Sequence, residues 1–332
     1  MSKLYLLIKT NMNSIIQVKN LIKRYKKSTS NAVDDISFTV DEGEFFCFLG
    51  PNGAGKTTTI SILTTTLTKT SGTISIAGYD TEKDSSKVRQ NVGIIFQNPS
   101  LDQNLTAEEN LRFHTILYGL YPFRPSYTLM PDGYKKRIKE LSEILGISKD
   151  LGKPIKSFSG GMKRKLEIIR SLMHNPRVLF LDEPTIGLDP LSRRDLWKYL
   201  NEVRKSNNTT IFLTTHYLDE AEDAGRVCII NKGQIVSLGT PTQLKKTLTE
   251  EYLLVDAANQ TKLESELIKQ KLDYHKDGVF KVKIKTGGDA QKIIQKLKTP
   301  LTHLKTHSPS LEEAYLEIIG QGKKSANEET VQ

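Results

Sequence analysis

Three short stretches contain the residue types from which phosphate chemistry is built. Gly50-Pro51-Asn52-Gly53-Ala54-Gly55-Lys56-Thr57 follows a continuous apolar run, EFFCFLG (44–50), and leads through Thr58 into a helical pattern. This is the P-loop pattern in the context its mechanism requires, between a buried strand and a helix. Glycines let backbone N–H groups approach phosphate oxygens, and the helix N-terminus adds a favourable dipole. Lys56 would reach the β- and γ-phosphates of a nucleotide, and the Thr57 hydroxyl a magnesium ion. Phosphoryl transfer also needs a metal carboxylate and a group that handles water. RVLFLDEP (177–184) supplies both after an apolar strand: Asp182 for the metal and Glu183 as general base. A carboxylate pair at a strand end is ordinarily a solvated turn; the P-loop beside it reverses that reading.

The third stretch, FSGGMKRKLEIIRSL (158–172), places Ser159, Gly160 and Gly161 before a basic amphipathic run. A serine and free amides at a helix start make a second anion site, redundant in a chain that already has a P-loop. Two further apolar runs end on polar groups, VGIIFQ on Gln97 and TIFLTTH on His216. A histidine in such a place is more often structural than catalytic. His303 and His307 have zinc-ligand spacing, but they fall in a strand pattern without further ligands, so no metal is expected there.

These residues need a scaffold, and the order of elements supplies one. SIIQVKN (14–20), ISFTV (36–40), TISIAG and RVCIINKG add strand patterns to those already named. A mostly helical stretch, about 100–172, separates VGIIFQ from RVLFLDEP, and Thr106-x-x-Glu109 opens one of its helices as a capping box. Strands separated by helices predict an α/β fold with a helical subdomain. From about 241 to 320 the texture changes to a small α+β domain of order β-α-β-α-β-α. Gly287-Gly288 marks a turn in it, and Ser310-x-x-Glu313 caps its last helix. Residues 1–13 form an N-terminal extension, and 321–332 are polar enough to predict a disordered tail.

Composition bounds the class. At 332 residues, 37% apolar and 26% charged, the chain has the make-up of an ordinary globular protein. The net charge of +10 is compatible with nucleic acid, anionic lipid or nucleotide, and equally with simple solubility. Cys47 and Cys228 each lie inside an apolar run and read as buried reduced thiols of a cytosolic protein. No window approaches the roughly 18 apolar residues of a membrane span, and MSKLYLLIKTNMN is too short for a signal peptide. Work at a membrane would need a separate subunit.

Together the motifs resemble the ATP-binding cassette family, the ATPase subunits of ABC transporters. GPNGAGKTT, the glutamine of IIFQ, SGGM, VLFLDEP, GLDP and the histidine of LTTH follow the family's order across roughly 14–240. The resemblance implies an ABC-type P-loop nucleotide-binding domain that binds ATP and Mg²⁺. Tyr25 matches the aromatic that stacks on adenine; Thr57, Gln97 and Asp182 match the magnesium shell. Glu183 is similar to the catalytic base, His216 to the γ-phosphate contact, and Asp189 to the aspartate linking two active sites. Ser159, Gly160 and Gly161 resemble the signature that binds the γ-phosphate of ATP held by a partner subunit. Phe158 and Met162 depart from the commonest signature. The SGGM form and HSPSLEEAYLEIIG (307–320) look like the daunorubicin-resistance, drug-export branch.

The implied assembly is a second ATPase subunit, a homodimer in the simplest case, and a polytopic membrane permease that holds the chain on the cytoplasmic face. YPFRPSYTLMPDG (121–133) looks inserted in the subdomain that meets the permease; it either tunes docking or is a tolerated surface loop. The alternative is a soluble cassette ATPase acting on nucleic acid or ribosomes. Such proteins carry two cassettes or a long coiled coil, and neither is seen, so no nucleic-acid partner is expected.

Overall fold

The computed structural model describes residues 14–97, 100–248, 251–284, 287–307 and 310–328. The expected extension, 1–13, lies outside them. The chain divides into two compact units after Leu238. The first contains β1 (Ser14–Lys23), β2 (Val33–Asp41), β3 (Phe45–Leu49), α1 (Lys56–Leu63), β4 (Ser71–Ile76), β5 (Tyr79–Asp80), α2 (Ser85–Asn91) and β6 (Val92–Ile95). It continues with α3 (Ala107–Leu117), α4 (Asp132–Ile144), α5 (Gly160–Leu172), β7 (Val178–Asp182), α6 (Pro190–Asn207), β8 (Thr210–Thr215), α7 (Leu218–Glu222), β9 (Arg226–Asn231) and β10 (Gln234–Gly239).

Six strands form the central sheet in the order β10-β9-β3-β8-β7-β6. The pairs from β9 to β6 are all parallel. The carboxyl ends of β3, β8, β7 and β6 therefore stand side by side, the edge where open α/β sheets keep their ligands. Each of β3, β7 and β8 is buried at every position, which explains their continuous apolar runs. An antiparallel sheet, β2-β1-β4-β5, joins them in one core. Phe38 of β2 packs on Phe46, Phe48 and Phe212, with ring centroids 5.6 to 6.1 Å apart. Truncating one such phenylalanine to alanine costs about 3–5 kcal/mol, so this aromatic layer anchors the strands whose ends carry the chemistry.

The helical subdomain is α3, α4 and α5. The capping box at Thr106 forms as the sequence predicts, with Glu109 N–H donating to Thr106 Oγ1 and Thr106 N–H to Glu109 Oε2. Residues 121–133 are tied down. Arg112 bridges Glu108 through Nε and donates through Nη1 to the Arg124 carbonyl. Tyr134 donates to Glu108 and makes T-shaped ring contacts with Tyr121 and Tyr127. Burial and the Glu108 carboxylate push the Tyr134 phenol upward, so it stays a donor.

The second unit contains α8 (Pro241–Leu248), β11 (Glu251–Asp256), α9 (Gln260–Lys269), β12 (Tyr274–Asp277), β13 (Val279–Ile284), α10 (Gly287–Lys296), β14 (His303–His307) and α11 (Leu311–Glu328). Its antiparallel sheet runs β12-β13-β11-β14 around its own apolar core. Four elements differ from the sequence reading. Helix α8 precedes the first strand, a helix that the expected β-α-β-α-β-α order lacks. β12 is polar and mostly exposed, and it pairs with β13 across Gly278 at φ +72°, so no apolar run announced it. Gly287-Gly288, read as a turn, opens α10 instead. The tail read as disordered from 321 is helical to Glu328; Lys323, Lys324 and Ala326 are good helix formers and no proline interrupts them. The remaining four residues, 329–332, lie outside the described residues.

One buried group makes the subdomain sensitive to acid. His114 on α3 lies against Tyr118, ring centroids 4.2 Å apart. Burial, with Arg170 and His174 as lesser causes, lowers its pKa to about 3. Between about 6.5 and 3 the unfolded chain binds a proton that the native state refuses, so native stability falls as pH drops through that window. His114→Phe should flatten the fall of Tm between pH 7 and 4 measured by circular dichroism. Parallel Tm–pH curves for variant and wild type would contradict the buried neutral histidine.

Candidate active site

The P-loop leaves β3 and closes on α1. A Cβ on Gly50 would run into the Ile230 carbonyl oxygen, and one on Gly55 would sit 2.6 Å from the Ala32 carbonyl, with φ already at +107°. Only glycine fits either place. No side chain caps α1 and no acidic residue occupies its first turn, so its first N–H groups suit an anion. Asn52, Gly53 and Thr57 face solvent, Pro51 and Thr58 are half-buried, and Ala54 is packed inward.

Lys56 folds back under the loop. Its Nζ donates to the carbonyls of Gly50 at 2.7 Å and Pro51 at 3.2 Å, and lies 3.4 Å from Glu183 Oε1. Both side chains are more than nine-tenths buried. Glu183 is a hub. Gln97 Nε2 donates to its Oε2 at 3.2 Å, and His216 Nδ1 lies 3.2 Å from its Oε1. Its backbone adopts φ +47°, unusual for a residue with a side chain; such a conformation costs about 1–3 kcal/mol and persists only where surroundings enforce it. Here Glu183 N–H is pinned to the Thr214 carbonyl on the neighbouring strand.

Asp182 accepts from Thr214 Oγ1 at 2.5 Å and from Thr57 Oγ1 at 3.5 Å. Burial raises its pKa, partly offset by these hydroxyls. Thr214 was not singled out in the sequence, because a threonine inside a β-branched strand carries no signal of its own. Tyr25 stands half exposed above the loop, its hydroxyl 3.3 Å from Thr58 Oγ1. The structure thus gathers Tyr25, Lys56, Thr57, Thr58, Gln97, Asp182, Glu183 and His216 around the P-loop.

Four predicted residues lie elsewhere. Ser159 caps α5 by accepting from Met162 N–H at 3.2 Å. Asp189 caps α6, accepting from the N–H groups of Leu191 and Ser192 and from Ser192 Oγ. The Ser192 hydroxyl leads the causes that hold the Asp189 carboxyl below its usual value. A Cβ on Gly161 would lie 3.4 Å from that same Ser192 Oγ, while one on Gly160 would meet nothing within 4 Å. So the signature residues and Asp189 adjoin one another. Among the described residues, no hydrogen bond joins Ser159 to the P-loop.

A phosphate loop, a strand-end carboxylate pair and a polar residue just beyond each neighbouring strand define a P-loop nucleoside triphosphatase. A helical insert between β6 and β7 with its own glycine helix start narrows that class to ATP-binding cassettes. Residues 33–186 match the ABC transporter family. The linearmycin resistance ATP-binding protein of Bacillus subtilis is 34% identical over 321 residues, covering 92% of this chain and 99% of that protein. The daunorubicin/doxorubicin resistance ATP-binding protein of Streptomyces peucetius is 33% identical over 324 residues, 94% of each chain. A solved dimeric bacterial ABC transporter cassette superposes with a TM-score of 0.61 at 26% identity, covering 68% of this chain and 98% of that one. The chain belongs to the ABC transporter family, as an ATP-binding subunit that hydrolyses ATP.

Lys56→Ala should lower ATP turnover by at least about 10²-fold, the loss expected when one preorganised charge is removed from a phosphoryl-transfer site. Wild-type turnover in a folded Lys56→Ala protein would refute the assignment of this loop.

Proposed function

We propose that two copies of this chain close around two ATP–Mg²⁺ and reopen on hydrolysis, driving export through a separate membrane permease. The observation that carries this reading is the separation of the two phosphate-binding helix starts. Gly160 faces open space, so nothing inside the chain accounts for its missing side chain. A ligand approaching from outside does. Ser159, Gly160 and Gly161 then hold the γ-phosphate of ATP seated on the partner's P-loop, and Asp189, beside Gly161, lies at the junction of the two sites.

On the P-loop side, backbone N–H groups of residues 50–58 and the α1 N-terminus hold the phosphates, with Tyr25 under the adenine. Lys56 exchanges the Glu183 carboxylate for phosphate oxygens. Glu183, so released, takes the proton of the attacking water, and His216 contacts the γ-phosphate. Thr57, Gln97 and Asp182 supply hydroxyl, amide and carboxylate oxygens, the hard donor set that suits Mg²⁺. The ion, when bound, neutralises charge on the β- and γ-oxygens.

No helix among the described residues is long and apolar enough to cross a membrane, which fits a peripheral subunit on the cytoplasmic face. The permease would dock on the helical subdomain, where Phe113, Leu117, Phe123 and Leu129 are exposed on and beside the anchored segment 121–133. The resistance names of the relatives favour export.

Glu183→Gln keeps the shape of the hub but removes the base, so the variant should retain ATP and accumulate as a dimer. Light scattering in ATP–Mg²⁺ should show a mass near twice the 37.4 kDa of one chain. A variant that stays monomeric at saturating ATP would contradict closure by two copies.

A further inference from the structure

The charged residues on the buried side of α5 have no role in the scheme above, yet they touch both loops that it depends on. Arg164 is 6% exposed and Glu167 fully buried. Arg164 Nε donates to the Pro184 carbonyl at 2.8 Å, and Nη1 to the Phe96 carbonyl at 2.6 Å. The first carbonyl belongs to the residue after Glu183, and the second to the residue before Gln97. Glu167 holds the fork in place, accepting from Arg164 Nη1 at 3.1 Å. Its other oxygen accepts from Ser100 N–H at 2.9 Å, and Arg170 donates to the Ser100 carbonyl and hydroxyl at 2.7 and 2.6 Å. One helix thus grips the backbone on both sides of Gln97 and just beyond Glu183.

We propose that Arg164 is a positioning residue that transmits engagement of the Ser159–Gly161 helix start to Gln97 and Glu183 of the same chain. The inference rests on the composite-site reading above. An α-helix rises about 1.5 Å per residue and moves as a rod, so Arg164, little more than one turn from Gly160, follows any displacement of the helix start. Its guanidinium is a rigid planar fork that holds two acceptors in fixed relation, which a lysine ammonium does not reproduce. A buried ion pair is a poor source of stability compared with apolar packing; here it fixes where two loops sit relative to one helix. The consequence is reciprocal timing. ATP on the partner's P-loop, once gripped by this chain's Ser159, draws this chain's own glutamine and glutamate into register.

The test is a double-mutant cycle on the full chain, comparing kcat and ATP affinity for wild type, Ser159→Ala, Arg164→Met and the double variant. Ser159→Ala alone should lower kcat about tenfold, the effect of one charge-assisted hydrogen bond. In the Arg164→Met background the same change should cost less than about twofold, because the helix start no longer reports to the loops. Affinity of the monomer for ATP should be unchanged by Arg164→Met, and Arg164→Lys should recover only part of kcat. A tenfold loss from Ser159→Ala in both backgrounds overturns the coupling while leaving the composite site standing. No loss from Ser159→Ala in wild type overturns both. If Arg164→Met fails to fold, Glu167→Gln, of equal size, replaces it in the cycle, with the same non-additivity expected and additivity again decisive against the proposal.

Discussion

A lysine ammonium buried at the carboxyl edge of a parallel sheet must have an anion beside it, because an unpaired buried charge is strongly destabilising. In this chain that anion is Glu183, and the arrangement of the site follows from the pairing. Glu183 leaves β7 in a left-handed conformation, pinned to β8 through the Thr214 carbonyl, and its side chain lies against Lys56. The same carboxylate gathers Gln97 from beyond β6 and His216 from beyond β8. Four adjacent strand ends are thereby joined through one side chain. Nucleotide phosphate is a competing anion for Lys56, so on the proposed reading arrival of substrate is also what frees the base to act on water.

The second constraint is that α5 faces two ways. Its N-terminus presents Ser159 and Gly160 outward, while its buried flank holds the backbone around Gln97 and Glu183. On the proposed reading the chain carries one half-site for its own nucleotide and another for its neighbour's, joined by one helix.

The motifs were legible because phosphate chemistry demands contiguous residues of fixed type. A loop that wraps phosphates needs glycines where Gly50 and Gly55 meet neighbouring backbone, and both fall within one six-residue stretch of sequence. The parallel strands were legible for a different reason, since full burial leaves runs such as FFCFL and VLFLD. What escaped was whatever depended on tertiary context. β12 is a polar edge strand created by its partner β13, and α10 starts at glycines that local signals assign to a turn. The helix beyond residue 320 was hidden by a polar composition that suits either state. Arg164 and Glu167 left one trace: charged side chains lying on the same helical stripe as Ile168 and Leu172. That is the mark of a buried ion pair, but its partners, two backbone carbonyls far away in sequence, are invisible before the chain folds.

The central claim is that the two phosphate-binding helix starts act on different chains. Mixing two inactive proteins, Lys56→Ala and Ser159→Arg, tests it most directly. In a mixed dimer one composite site collects both defects and the other collects neither. Random pairing of equal amounts makes half the dimers mixed, each with one intact site of two, so ATP turnover should rise to about a quarter of the wild-type value. Turnover that stays as low in the mixture as in either variant alone would contradict the account.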